Sequence, residues 1–409
     1  MKRNKLSQGR FIVMITFVLV GCYSENKEND RKLELMRSPV GINSEEPYLI
    51  STEGGKTYLS WIEKADSSAS LFYAQLANGQ WSNPIKIAEG NNWFVNWADY
   101  PMISKNGDNY IAHYLAKSGE GTYAYDVIYT QSKDGQFWSE GKKLNEDNLE
   151  AEHGFVSMLP FHEHFLLAWL DGRNTVGNSG HDGHDHSESK GAMTLRAAIV
   201  DVDGNKKQEW QLDNRICDCC QTSTAMTDNG PIVVYRDRSE NEIRDMSIVR
   251  LVNGEWTQPK TIHSDRWKIN GCPVNGPRAD AINNTLAIAW FTGADDSPKV
   301  KLIFSLDGGE SFLDPVEIAG EGSIGRVDVV MKDERSAFIS WMEGMDIQMM
   351  SVDIEGNKSE INKIASSSES RSSGFPQMSK DNDQLIFAWT SDSLTFGESS
   401  APVNHAIAN

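Results

Sequence analysis

The segment Arg236-Asp237-Arg238-Ser239-Glu240-Asn241-Glu242-Ile243-Arg244-Asp245 alternates guanidinium and carboxylate groups. Arginine forks grip a carboxylate through paired hydrogen bonds. Neighbouring carboxyls can give and take protons. Tyr235 adds a phenol beside them, Arg278 another fork, and Asp171 and Arg173 repeat the pairing nearby. Asp171, Tyr235, Arg236, Asp237, Arg238, Glu240 and Arg278 are therefore the candidate reacting and anion-holding groups. Trp93, Trp97, Arg173, Arg244 and Asn275 are the candidate ligand contacts, the two indoles serving as stacking platforms. Arg326 and Arg371 are later candidates for the same cluster. The pattern also suits an ion-pair lattice that pins loops together. Both readings stay open at this point.

Two other clusters carry chemistry. His181, His184 and His186 fall close together in a Gly/Asp-rich stretch, a ligand set that suits Cu or Zn. Such a stretch also binds metal incidentally when it is only a polar loop. Cys217, Cys219, Cys220 and Cys272 form the second cluster. In an oxidising compartment they read as two disulfides stapling neighbouring loops, with Cys272 joined to the 217–220 group. Adjacent Cys219 and Cys220 do not bond each other without strain. A thiolate metal site is the alternative.

The elements that must position these residues repeat along the chain. A short apolar run ends in an aromatic residue at Trp61, Tyr114, Trp169, Tyr235, Trp290, Trp341 and Trp389. The spacings are 53, 55, 66, 55, 51 and 48 residues. Around each run lie four short segments of strand character separated by Gly/Asn/Asp turns. Recurrence at this period is the mark of a β-propeller. The expectation is an all-β, seven-bladed β-propeller, with six blades as the alternative. The last repeat offers only three strands, so Leu33–Pro39 is expected to supply its fourth and remove an exposed edge. The histidine stretch accounts for the long spacing of 66. In such a ring, the loops between repeats and those between second and third strands open on one face. That face gathers 91–100, 150–153, 171–186, 215–221, 236–245 and 267–278.

Ser305-Leu306-Asp307-Gly308-Gly309-Glu310-Ser311-Phe312 resembles the Asp-box, or BNR repeat, of the sialidase superfamily. Ser132-Lys133-Asp134-Gly135-Gln136-Phe137-Trp138 is a second, shorter copy. Asn78-Gly79-Gln80-Trp81 and Asn253-Gly254-Glu255-Trp256 are degenerate ones. The chain thus looks like a sialidase-like propeller, and the resemblance implies work on glycans, with exo-α-sialidase-type hydrolysis as the specific reaction. Such a reaction uses an arginine cluster, a carboxylic acid and a nucleophile paired with a carboxylate. The chain departs from proven sialidases in three ways. Those have six blades, their Phe-Arg-Ile-Pro signature is represented here only by Met36-Arg37-Ser38-Pro39, and no Tyr/Glu pair can be assigned from the sequence.

The N-terminus reads as an address. Met1–Arg10 is basic, Phe11–Val20 is a short apolar core, and Leu19-Val20-Gly21-Cys22 resembles a bacterial lipobox. Residues 1–21 are expected to be a lipoprotein signal peptide. Residues 22–31 would be the lipidated Cys22 and a flexible tether, and 32–409 the propeller domain. Tyr23 after the cysteine favours the outer membrane of the bacterial envelope. With 39 Lys+Arg against 58 Asp+Glu, the net charge is −19, which repels nucleic acid and anionic lipid surfaces. The expected partners are a glycan or other small ligand, the lipid anchor and, as an alternative use of the loop face, another envelope protein. A metal-binding or redox-linked role of the histidines and cysteines is the other alternative.

Overall fold

A computed structural model describes residues 33–391 apart from 42, 53, 177–190 and 383, together with the backbone strand at 403–408. His181, His184, His186 and Cys22, with the whole signal and tether, lie outside the described residues. The chain divides into a unit of Met1–Arg31 and a unit of Lys32–Asn409, and the second holds all of the described residues.

The described strands form seven antiparallel sheets of four or five strands. The first sheet opens with Ser44–Ser51, Thr57–Lys64 and Ala69–Ala77. The second contains Ile103–Asn106, Asn109–Lys117 and Tyr125–Ser132, and the third His153–Phe161, His164–Asp171 and Thr194–Val200. The next three begin at Ser223–Thr227, Arg278–Ile282 and Ser323–Asp333. The seventh holds Gln377–Asp381, Gln384–Thr390 and Val403–Ala408, with Leu33–Met36 along its outer edge. There Leu33 faces Ala408 and Met36 faces His405. The fold is a β-propeller.

The second strand of each sheet lies mid-sheet with neighbouring sheets over both faces. That is why its run is continuously apolar rather than alternating. Trp61, Trp169, Trp290 and Trp341 end four of these runs and are under 2% exposed. Four such aromatic ends place a polar hydrogen against a carboxylate, Trp61 Nε1 on Glu63 (2.9 Å) among them. Trp169 Nε1 donates to Asp171 (2.9 Å), Trp290 Nε1 to Asp265 (2.7 Å), and the Tyr235 hydroxyl to Asp213 (2.5 Å). Each apolar run thus stops where the sheet meets its loop face. The first strands surround a channel of about 1810 Å³, lined among others by Tyr48, Met102, Ser157, Thr224, Asp280 and Ser379.

The turns opposite the loop face follow from their side chains. Asp307 accepts the Ser311 N–H (2.8 Å) and the Ser305 hydroxyl (2.7 Å), while Gly308 and Gly309 take φ of 69° and 85°. In the shorter copy Asp134 accepts the N–H groups of Gln136 (2.8 Å) and Phe137 (3.0 Å). The following rings, Phe312 and Trp138, pack against the core behind them. Asp307→Ala is expected to lower stability by about 1 kcal/mol, since the lost bonds are local and half-exposed. A urea titration checks this. A shift in activity with unchanged stability would be inconsistent with a purely architectural turn.

Candidate functional site

The loop face is built at the entrances to the first strands. Most of its described charged residues are buried or half-buried, and their partners decide what they can do. Arg236 is 2% exposed, and its guanidinium donates to three main-chain carbonyls: Arg244 O (2.7 Å), Phe291 O (2.7 Å) and Asn275 O (2.8 Å). It also lies over the Trp267 ring at 4.8 Å. Arg238 pairs with Glu242 (2.8 Å) and Asp218 (3.1 Å). Arg244 is fully buried, against Glu242 (2.9 Å) and the Cys217 sulfur (3.3 Å). Arg326 donates to the Ser373 hydroxyl (2.6 Å) and the carbonyl of Ser370 (2.9 Å). Arg278 belongs elsewhere, at the axis, where it meets Tyr100, Gln377 (3.0 Å) and Asp328 (3.9 Å). It shares no partner with Arg236. The arginines expected to converge on a ligand thus hold the loops to one another.

The remaining sequence candidates, Glu240 apart, are committed as well. Asp171 is fully buried. Burial raises its carboxyl, but Arg173, His153 and the Trp169 N–H outweigh that and hold it below its usual range. Arg173 joins Asp171 (2.7 Å), Asp147 (3.3 Å) and Glu209 (3.3 Å). The Asp147–His153–Asp171 group has the ligand types of a metal site. Arg173 already supplies the cation there. Tyr235 is fully buried on Asp213, and burial with that charge pushes its phenol far up. Asp237 takes the Arg238 N–H (2.6 Å), and burial and Asp213 raise it to about 6. Glu240 is exposed at the tip of its loop. Asn275 accepts the Arg326 N–H on its side-chain oxygen (2.8 Å). Trp93 stacks on Tyr114 at 4.2 Å, and Trp97 on Phe375 at 5.6 Å with Arg326 beside it.

The cysteines correct the expectation of two disulfides. Cys219 is bonded to Cys272, joining the third and fourth inter-sheet loops. Cys217 and Cys220 are buried thiols with sulfurs 3.3 Å apart. Arg244 occupies the polar side of Cys217 and favours a thiolate there.

A cluster that the sequence did not single out lies between the first two inter-sheet loops. The Tyr125 hydroxyl sits 3.0 Å from Glu152 and 3.3 Å from Asp99. Asp99 also accepts the Phe155 N–H at 2.6 Å. That N–H is aimed by a bulge at Gly154, after which Phe155 takes φ of 52°, a strained value for an aromatic residue. Gly154 is obligatory, because a Cβ there would lie 1.9 Å from an Asp99 oxygen. Tyr125 has one hydroxyl proton and faces two carboxyls, so it can donate to only one. The other contact is a hydrogen bond only if that carboxyl itself carries a proton. Burial raises Glu152 to about 8, against the Tyr125 hydrogen bond and aided by the charges of Asp99, Asp218 and Cys217. Burial raises Asp99 to about 7, offset in part by its Phe155 and Tyr125 bonds. The consistent arrangement is a proton chain in which Glu152 donates to Tyr125 and Tyr125 donates to Asp99. Phe94 stacks on Tyr125 at 4.0 Å, and Tyr123 beside it is 46% exposed. An acid poised near neutral pH therefore sits under an aromatic surface on the loop face.

No family model matches the chain, and no curated protein does either. Solved structures do. The polysaccharide lyase Uly1 is similar over 89% of this chain and 89% of its own, at 8% identity and a TM-score of 0.54. An α-L-arabinanase from Penicillium chrysogenum, complexed with arabinobiose, aligns over 91% and 96% of the two chains, at 8% identity and a TM-score of 0.48. A mutant of NanB sialidase from Streptococcus pneumoniae aligns over 93% and 92%, at 10% identity and a TM-score of 0.46. At such identities the first of these speaks for the propeller fold alone.

Proposed function

We propose that this protein is a lipid-anchored, extracytoplasmic propeller of the sialidase-like class, with seven blades, that binds or processes glycans on its loop face. The observation that carries the reading is the buried Asp99–Tyr125–Glu152 hydrogen-bonded cluster, with Phe94 stacked on Tyr125 and Tyr123 beside it. General acid catalysis of glycosidic cleavage needs a carboxylic acid that stays protonated near neutral pH. Aromatic rings beside it suit the apolar face of a sugar. The arginine geometry favours a glycan without a carboxylate clamp, since Arg236, Arg278 and Arg326 already donate to groups of the protein. The lipobox at Cys22 supports the anchor and an envelope location. The seven sheets support the blade number.

The test is a panel of fluorogenic glycosides, an α-sialoside among them, together with polysaccharides scored for new reducing or unsaturated ends. Turnover is expected to fall by about 100-fold or more in Glu152→Gln and Asp99→Asn. Turnover unaffected by both, or no turnover and no binding on any glycan, would refute the reading.

The redox-linked alternative has one observation in its favour, the buried dithiol of Cys217 and Cys220.

A further inference from the structure

The dithiol stands beside a disulfide. Cys217, Cys219 and Cys220 hold their sulfurs within 4.8 Å of one another, and Cys219 is bonded to Cys272. Cys217 and Cys220 are each 1% exposed, whereas Cys219 and Cys272 are half-buried. Arg244 donates to the Cys217 sulfur at 3.3 Å. A buried guanidinium there disfavours a metal cation and favours a thiolate, the nucleophile of disulfide exchange.

We propose that Cys217 and Cys220 form a dithiol that exchanges internally with the Cys219–Cys272 disulfide, moving the bond between two positions on the loop face. The Cys217 thiolate attacks the Cys219 sulfur, the Cys217–Cys219 bond forms, the Cys219–Cys272 bond breaks, and Cys272 leaves as a thiolate. Cys220 gives its proton to Cys272 and attacks the Cys217 sulfur, 3.3 Å away in the starting structure. The Cys217–Cys220 bond forms and Cys219 leaves as a thiolate. One disulfide is consumed and one is made, so no outside oxidant or reductant enters. Cys217 is suited to attack first. Burial raises its thiol, but the Cys220 hydrogen bond and the charges of Arg244 and Arg236 outweigh that and bring it to about 6. Burial and the neighbouring Cys217 push Cys220 well up, which suits it to hold the proton until the second step. The exchange replaces a staple between two loops by a bond within one, since Cys217 and Cys220 are three residues apart while Cys219 and Cys272 are 53 apart. The third inter-sheet loop would then lose its covalent link to the fourth and keep the hydrogen bond from Gly276 N–H to the Gln221 side chain.

The full chain, produced in an oxidising compartment, tests this. Aliquots incubated under argon are quenched in acid, unfolded and alkylated. They are then reduced and tagged with a second reagent, and fragment-ion spectra assign each tag. Wild type is expected to carry the first reagent on Cys217 and Cys220, with a growing fraction carrying it on Cys219 and Cys272. Cys220→Ser should stop at the Cys217–Cys219 bond, with Cys272 labelled. Cys217→Ser should lose the transfer altogether. The idea is overturned if the label stays on Cys217 and Cys220 at every time, if all four cysteines resist the first reagent, or if Cys217→Ser transfers as wild type does. The wild-type time course decides the matter even where a variant fails to fold.

Discussion

Arg236→Ala is expected to lower the unfolding free energy by about 3–5 kcal/mol, the scale reached when a buried side chain that satisfies several buried acceptors is removed. The guanidinium supplies the donors of three carbonyls from three separate segments, at Arg244, Asn275 and Phe291. Removing it leaves those acceptors facing a cavity, and each stranded group costs about 1–3 kcal/mol. The cation–π contact with Trp267 is lost as well. Arg236→Lys keeps the charge but carries its donors on a single nitrogen, which cannot stand at both the Nη1 and Nη2 positions that meet these carbonyls. It should recover less than half of the loss. Urea denaturation at fixed pH measures both. A loss under about 1 kcal/mol for the alanine variant would mean that water replaces the side chain, and that the site is more open than its burial indicates.

The second large effect concerns pH. Glu152 is raised to about 8 and Asp99 to about 7 in the folded protein, from ordinary values of 4.5 and 3.8. The folded state therefore binds protons that the unfolded state has released. Stability from these groups is fully present below their unfolded values and is lost as pH rises to about 8. Glu152→Gln removes one of the two ionisations while keeping the shape of the side chain. The variant is expected to be more stable than wild type at pH 8, by on the order of 3 kcal/mol, and to show little gain at pH 4. Thermal melts across this range give the answer. Equal stability at pH 8 would mean that Glu152 ionises without penalty, and the proton chain would have to be abandoned.

The repeat was open to reading because it is written in local chemistry. A mid-sheet strand covered on both faces must be apolar throughout, so each second strand announces itself by composition alone. The Asp307 and Asp134 turns are likewise decided within a few residues. The sites are another matter. Asp99, Tyr125 and Glu152 come together from positions 26 and 27 residues apart. Tyr125 is the first residue of an ordinary strand. The inter-sheet loops holding Asp99 and Glu152 do stand out as unusual, but nothing in the residue types says that a tyrosine from the next strand rises between them. The one available signal was Gly154 next to a charged loop. The arginines misled for a related reason, because a guanidinium that grips a sugar and one that grips three carbonyls are the same letter. The pairing of the cysteines depends on which of three neighbours faces Cys272, and spacing does not encode that.

The sheet completed by Leu33–Met36 differs in kind from the others. Six sheets are assembled from contiguous stretches of chain, so each can form as soon as its own segment is available. The seventh must draw its outer strand from the far end of the sequence. Four residue pairs, Leu33 with Ala408 through Met36 with His405, make that join. The circle therefore behaves like a bracelet with one clasp: most of its links are permanent, and its integrity is set at a single seam. Closing that seam brings the two ends of the described chain together, and opening it strips one outer strand from the seventh sheet while the other six stay whole.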